Sequence, residues 1–430
     1  MKKTIILLAL TVLLFASCRK ESDYLPYIGE SHKLAYSTYE EQFVFLWKSI
    51  SAGYVFWDVD TTDWDEVYNH FLPRFQELDR HYSDSGYVST DELVNMYGAV
   101  FGGMIDHHMT VVVQNLHPIP GDEDRLVVLR PGQAEVKQRD YYLESNSQAR
   151  ATMLSFLGGI ESEGYTIVAH ESGTFPFNEE AITSSVTYHY ILFQLPDGRL
   201  VPYLWQSMAA FTPVIRSLGS STPTGAGALI LDHWLHAITD TPRSQLAGII
   251  LDNRANNGGY QDDLDYLIGT FLNERAEVMQ TRYKEGPGRM EYSQWTPYYI
   301  YPNKSYHRDI TAENIPYVIL CDINSASMGE IEPLCAKHVL PTVHTIGERT
   351  YGATGPLQPV TDINLNYGGP FGDGTNYRGH YIYTSTFEAN FDGQVLEGIG
   401  YIPDQIILRK DCNSSYKPQL DAAFDYIAAY

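Results

Sequence analysis

Between residues 37 and 115 apolar residues recur every three or four positions, the spacing of one helix face. Ser37 with Glu40 gives a capping-box pattern ahead of Phe43, Leu46, Trp47 and Ile50. Thr62 and Asp65 mark the start of a second series, Trp64, Val67, Tyr68, Phe71 and Phe75. Ser89 with Glu92 opens a third, Leu93, Met96, Tyr97, Val100 and Met104. These spacings predict three amphipathic helices packed as a small bundle. Pro118, Pro120 and Gly121, beside three acidic residues, then predict a domain boundary. From about 125 to 200 the pattern is mixed, with a β-rich piece at 186–193 and a helix near 147–158. Beyond 200, strands alternate with helical patterns, which predicts an α/β layer. Strands are expected at 200–205, 247–251 and 315–321, and helices over 229–238 and around Leu264, Leu267, Ile268 and Phe271.

The 430 residues are enough for two or three domains, and 44 % hydrophobic against 19 % charged excludes a disordered or coiled-coil chain. With 53 acidic and 29 basic side chains the net charge is −24, which argues against nucleic acid and against docking on anionic lipid through a basic patch. Lys2 and Lys3 precede an apolar run over 5–16, then small Ala16 and Ser17, then Cys18. The run is shorter than the roughly 20 residues a membrane span needs. Its end resembles the lipobox of bacterial lipoproteins. That resemblance implies a signal peptide over 1–17, lipidation at Cys18 and a lipid-anchored tether over 18–36. The expected location is the bacterial cell envelope, periplasmic or at the outer-membrane surface. Cys321, Cys335 and Cys412 remain, an odd set that gives neither a disulfide framework nor a zinc site. Cys321 ends an apolar run and is expected to be a buried small hydrophobe.

Several familiar sites are absent. There is no phosphate-binding loop, no zinc helix with paired histidines and no Gly-x-Ser-x-Gly elbow. His107 and His108 are adjacent, so on a helix they would diverge by about 100° and could not both face one metal. No metal or cofactor is expected. What remains is Ser327 just after one buried strand and Gly258-Gly259 just after another. A serine at a helix start meets free amides and the positive end of the helix dipole. A Gly-Gly pair lets backbone amides approach a reacting carbonyl. Read from the residues alone, Ser325 or Ser327 could equally cap a helix and the glycines could merely turn the chain.

Asp252-Asn253-Arg254-Ala255-Asn256-Asn257-Gly258-Gly259, after apolar Ile249, Ile250 and Leu251, resembles the strand-and-loop signature of the C-terminal processing, or tail-specific, serine proteases. Ser325-Ala326-Ser327 with Glu330 resembles that family's nucleophile segment. Gly347-Glu348-Arg349-Thr350-Tyr351-Gly352 and Gly398-Ile399-Gly400-Tyr401-Ile402-Pro403-Asp404 resemble its later motifs. Upstream, Asp106 and His108 fit its Asp-Gly-His. The resemblance implies a crotonase-like α/β protease domain over 200–430, preceded by a helical domain over 37–117 and a mixed α+β region over 118–199. It implies a serine-type endopeptidase acting on a peptide or protein substrate, with Ser327 as nucleophile. Gly258 and the Met328 amide would form the oxyanion hole, with Glu330 in support.

Two departures from the family stand out. The usual catalytic lysine after Gly352 is replaced by Ala353, and no lysine lies between Lys337 and Lys410. Lys337 is ten residues along the expected helix, about 15 Å from the serine. His338 stands where an aspartate is usual. Relatives of the tricorn type use serine, histidine and glutamate; Glu397 falls where such a glutamate could lie, but the matching histidine is missing near Tyr203, Leu204 and Trp205. No PDZ domain is evident. The general base is left unassigned, and the alternative is a catalytically impaired peptide- or glycan-binding protein on the same fold.

Overall fold

Three helices open the described chain: α1 (Tyr39–Gly53), α2 (Trp64–Ser85) and α3 (Thr90–Phe101). The computed structural model describes residues 37–179, 182–216, 226–286, 288–357 and 381–430, so the expected signal peptide, tether and Cys18 lie outside the described residues. Two caps differ from expectation by one position. Thr38, not Ser37, caps α1, its oxygen accepting from the Glu41 N–H at 3.1 Å. Thr38 and Glu41 repeat the spacing of Ser37 and Glu40, so the pattern fits either frame. Asp63 caps α2 through the Glu66 N–H at 2.9 Å. Phe43, Leu46, Ile50, Phe71, Phe75, Leu93, Tyr97 and Val100 form a shared core.

This bundle also holds strands. β1 (Thr110–Gln114) pairs antiparallel with β2 (Leu126–Leu129) and buries Val111 and Val113 in the helical core. The prolines expected to mark a boundary after residue 117 instead lie in the connection between these two strands. α4 (Pro131–Val136), α5 (Asn146–Gly158), β3 (Thr166–Glu179), β4 (Ile182–Gln194) and β5 (Leu200–Gln206) follow. β3 and β4 form a long hairpin that pairs onto β5, so part of the middle region extends the sheet of the domain after it.

The remaining labelled elements are α6 (Ala226–Thr239), β6 (Ile249–Asp252), β7 (Ala276–Tyr283), β8 (Thr296–Ile300), β9 (Tyr317–Cys321), α7 (Met328–Val339), β10 (Val343–Gly347), β11 (Tyr381–Tyr383), β12 (Phe387–Asn390), β13 (Gln405–Ile406) and α8 (Lys417–Ala429). The helix expected near Leu264 is a single turn, Leu264–Leu267, between 3-10 turns. One seven-stranded sheet runs β13-β10-β9-β6-β5-β4-β3, parallel from β13 to β5 and antiparallel beyond. The fold is α/β.

Side chains on the central strands alternate between two cores, the two-residue period of a sheet covered on both faces. Tyr317 and Ile319 of β9 pack with α6 and α7, whereas Val318 and Leu320 pack with α5 and α8. β11 pairs back onto β1, tying the late chain to the helical region. Loops leaving the carboxyl ends of β6, β9 and β10 meet at one end of the sheet, the usual place for a site in such a layer. Among the described residues no helix is long and apolar enough to cross a membrane.

Candidate active site

β9 leads into a tight turn held by the side chains of Asp322 and Ser325 on backbone groups. Ser325 is buried; its hydroxyl donates to the Asn253 carbonyl at 2.7 Å and accepts from the Asp322 N–H at 2.9 Å. That hydroxyl is committed to joining the β6 and β9 loops. Ser327 follows, half-buried, at the start of α7 with φ 53° and ψ −119°. A positive φ at serine is a strained backbone costing on the order of 1–3 kcal/mol, the kind that functional turns retain. The next amide, Met328, is the first N–H of α7, a position without an intrahelical acceptor.

Gly258 packs against this serine. A Cβ at Gly258, where φ is +123°, would lie 2.8 Å from Ser327 Cβ and 3.2 Å from its Oγ. Only glycine leaves that space open to a carbonyl group. In the structure the Gly258 N–H donates to Asn256 Oδ1 at 2.9 Å, so a substrate oxygen would compete with the Asn256 side chain for it. Asn256 also supplies the carbonyl that accepts the Ala326 N–H at 2.9 Å, fixing the two loops together.

Glu330, one turn into α7, is fully buried and reaches the loop after β10. It accepts from the Gly352 and Ala353 N–H groups, both at 2.7 Å, from the Ser327 N–H at 3.2 Å and from the Thr350 hydroxyl. Burial pushes its carboxyl up to about 7 despite those donors. Glu330 thus fastens residues 350–353 to the turn that carries Ser327. From the other side of that loop, Arg139 donates to the Thr350 carbonyl at 2.7 Å and the Tyr351 carbonyl at 3.0 Å.

Glu397 is buried too. Its Oε2 accepts from the N–H groups of Thr354 at 2.7 Å and Gly355 at 2.6 Å, and its Oε1 from His107 at 2.8 Å. Burial and the neighbouring Asp106 carboxylate push its pKa up, against the pull of those amides. A nitrogen of His108 and one carboxylate oxygen each from Asp106 and Glu397 all lie within 4.8 Å of one another. His108 Nδ1 is 3.4 Å from Ser385 Oγ, and burial lowers the imidazole pKa while Asp106 opposes that shift. Asp106 accepts from the His108 N–H at 2.8 Å, the Ser385 N–H at 2.8 Å and the Thr384 hydroxyl. Every carboxylate oxygen of the cluster already accepts a hydrogen bond, so a metal ion there would have to compete with those donors.

Residues 106–108 lie in a turn between α3 and β1, so the helix geometry expected for His107 and His108 does not apply. The two rings still part company. His107 is buried with Nδ1 on the Tyr351 carbonyl at 2.8 Å, and burial depresses its pKa to about 4. The His108 imidazole, from far upstream, lies beside Glu397. Asp106 and His108 had already matched a motif; the missing link was that β1 and β11 pair and carry that motif to Glu397. Lys337 is accounted for elsewhere, with its ammonium on Asp404 at 2.9 Å, and His338 pairs with Asp392.

The carboxyl-end loops, the strained serine and the glutamate-bound loop after β10 all fall in one stretch, and residues 230–404 match peptidase family S41. That stretch is similar to the S41 peptidases. Over 91 % of its length the chain is similar in structure to a candidate peptidase from Parabacteroides merdae, with TM-score 0.58, 19 % identity and 97 % of that chain covered. It is similar over the same share to mature CPAF, with TM-score 0.53, 13 % identity and 97 % of that chain covered. These likenesses are of fold, and they extend well beyond residues 230–404 on the N-terminal side. No curated protein matches the chain.

Proposed function

We propose that the chain is a serine endopeptidase in which Ser327 attacks, His108 is the general base and Glu397 orients the imidazole. The observation that carries this reading is convergence on one loop. The Ser327 N–H donates to the Ala353 carbonyl at 3.1 Å, and Glu397, beside His108, takes the N–H groups of Thr354 and Gly355. In the proposed cycle His108 accepts the Ser327 hydroxyl proton as Oγ bonds to the substrate carbonyl carbon. The oxyanion is received by the Met328 N–H and by the Gly258 N–H as it leaves Asn256. His108 then gives its proton to the departing amine, leaving an acyl-serine that water hydrolyses by the reverse sequence. The lowered His108 pKa keeps the ring neutral, as a base must be.

A peptide or protein is the substrate class that fits an S41 domain. The lipobox-like end of the leader supports anchoring at Cys18 in a bacterial cell envelope. Cys18→Ser is then expected to move the protein from the membrane to the soluble fraction, and unchanged retention counts against the anchor. For the chemistry, a fluorophosphonate probe should label the wild type but neither Ser327→Ala nor, at a comparable rate, His108→Ala. A wild type that takes up no probe yet binds peptide or glycan would favour the impaired binding protein.

A further inference from the structure

Five arginines with largely covered side chains hold carboxylates. Arg254 pairs with Asp252, Arg282 with Glu388, Arg308 with Glu313, Arg409 with Glu144 and Arg139 with Glu135. Arg150 on α5 is different. It is substantially buried, forms no ion pair among the described residues and has a buried Nε without a hydrogen-bond partner. Its three hydrogen bonds all leave from Nη2 and reach neutral acceptors, namely Asn257 Oδ1 at 3.0 Å, the Ser207 carbonyl at 3.1 Å and Asn146 Oδ1 at 3.4 Å. A desolvated cation without a counter-charge is costly, and it is offset when an anion arrives.

The position of this cation matters. Asn257 immediately precedes Gly258, and Asn146 donates to the Asn324 carbonyl at 3.1 Å. Asn146, Asn257 and Asn324 line a cleft of about 170 Å³ together with Ala326, the residue before Ser327, and no charged side chain lines it. A chain with 53 acidic residues thus presents an uncharged cleft beside its serine, backed by one unpaired guanidinium. An extended peptide advances about 3.3–3.6 Å per residue, so a group near Asn257 lies within a few residues of the reacting bond.

We propose that Arg150 recognises a carboxylate on the substrate, an acidic side chain or a free C-terminal carboxylate, close to the bond that is cut. The inference rests on the peptidase reading and adds a substrate class to it. Guanidinium and carboxylate match as a two-pronged charged pair, and Arg150 has donors left to complete one.

The test is cleavage of a fluorogenic peptide library, built as matched Glu/Gln pairs at each position and matched free-acid/amide pairs at the C-terminus. The expected result is about tenfold or greater preference in kcat/KM for the charged member in one arm, and the arm identifies the source of the carboxylate. Arg150→Gln should bring that ratio to within about twofold, mainly through KM, while neutral peptides are cut nearly as before. Arg150→Lys should retain part of the preference. A wild type without preference in either arm overturns the proposal. So does an Arg150→Gln protein that loses charged and neutral peptides equally, since that is a brace for Asn257 and nothing more. If the wild type cuts no library peptide at all, the peptidase reading itself fails, and this inference with it.

Discussion

Ser327 and Glu397 are bound to consecutive residues of one loop: the serine N–H donates to the Ala353 carbonyl, and the glutamate accepts the Thr354 and Gly355 amides. A displacement of the Ser327 backbone or of the Glu397 carboxylate is transmitted to the other through three residues. The loop is also held by Glu330 from α7, so the serine and the imidazole share a backbone reference.

His108→Ala should lower kcat/KM by about 10²–10⁴-fold, the worth of a positioned base, while the folded protein persists. Steady-state kinetics with a melting curve check this. A loss below fivefold would remove His108 from the mechanism.

The pH profile follows from the direction of the His108 shift. The base must be neutral, and burial lowers its pKa from the ordinary 6.5. Activity should therefore rise with pH through a midpoint below that value and stay high at neutral pH. In Asp106→Asn the carboxylate that opposes this shift is gone, so the midpoint should move further down. A midpoint near 9 would instead point to a lysine.

The two neighbouring glycines should respond differently. Gly258→Ala brings a Cβ to 3.2 Å from Ser327 Oγ at a φ of +123°, which should cost about 10²–10³-fold in turnover through the oxyanion site. Gly259→Ala would put a Cβ 1.9 Å from the Ala209 carbonyl oxygen, a backbone clash that should cost folding instead. Activity per folded molecule, measured beside soluble yield, separates the two outcomes.

Buried carboxylates set the pH dependence of stability. Burial pushes Glu330 and Glu348 up to about 7 and Glu332 to about 8. The native state then holds protons that the unfolded chain releases near 4.5, so this contribution is complete below that pH and is lost as pH rises through 7 to 8. The urea midpoint should be higher at pH 5.5 than at pH 8.5. Glu332→Gln, which stays neutral beside Asn253 and Gln206, should flatten the slope. A higher midpoint at pH 8.5 would contradict the assignment.

The layered α/β domain was legible because its strands are short apolar runs, and Gly258 and Ser327 sit on the turns that follow two of them, with Glu330 one turn into the helix after the second. The amphipathic helices were legible from their spacing. The base was not. His108 and Glu397 are brought together by non-local contacts, β11 on β1 and the His107 N–H on Glu397, for which neither segment carries a local signal. The competing caps at Ser37 and Thr38, and the strand turn hidden in Pro118 and Pro120, failed for a related reason, since each pattern fits two local structures equally well.

The pairing of β1 with β11 has a consequence for how the protein can be divided. The segment that matches the S41 family, 230–404, holds Ser327 and Glu397 but no part of the turn that carries His108. On the proposed roles, that segment excised by itself would keep the nucleophile and lose its proton acceptor. On the same roles, a chain severed in the exposed turn around Gly121 should give two inactive pieces whose turnover returns only on reassociation.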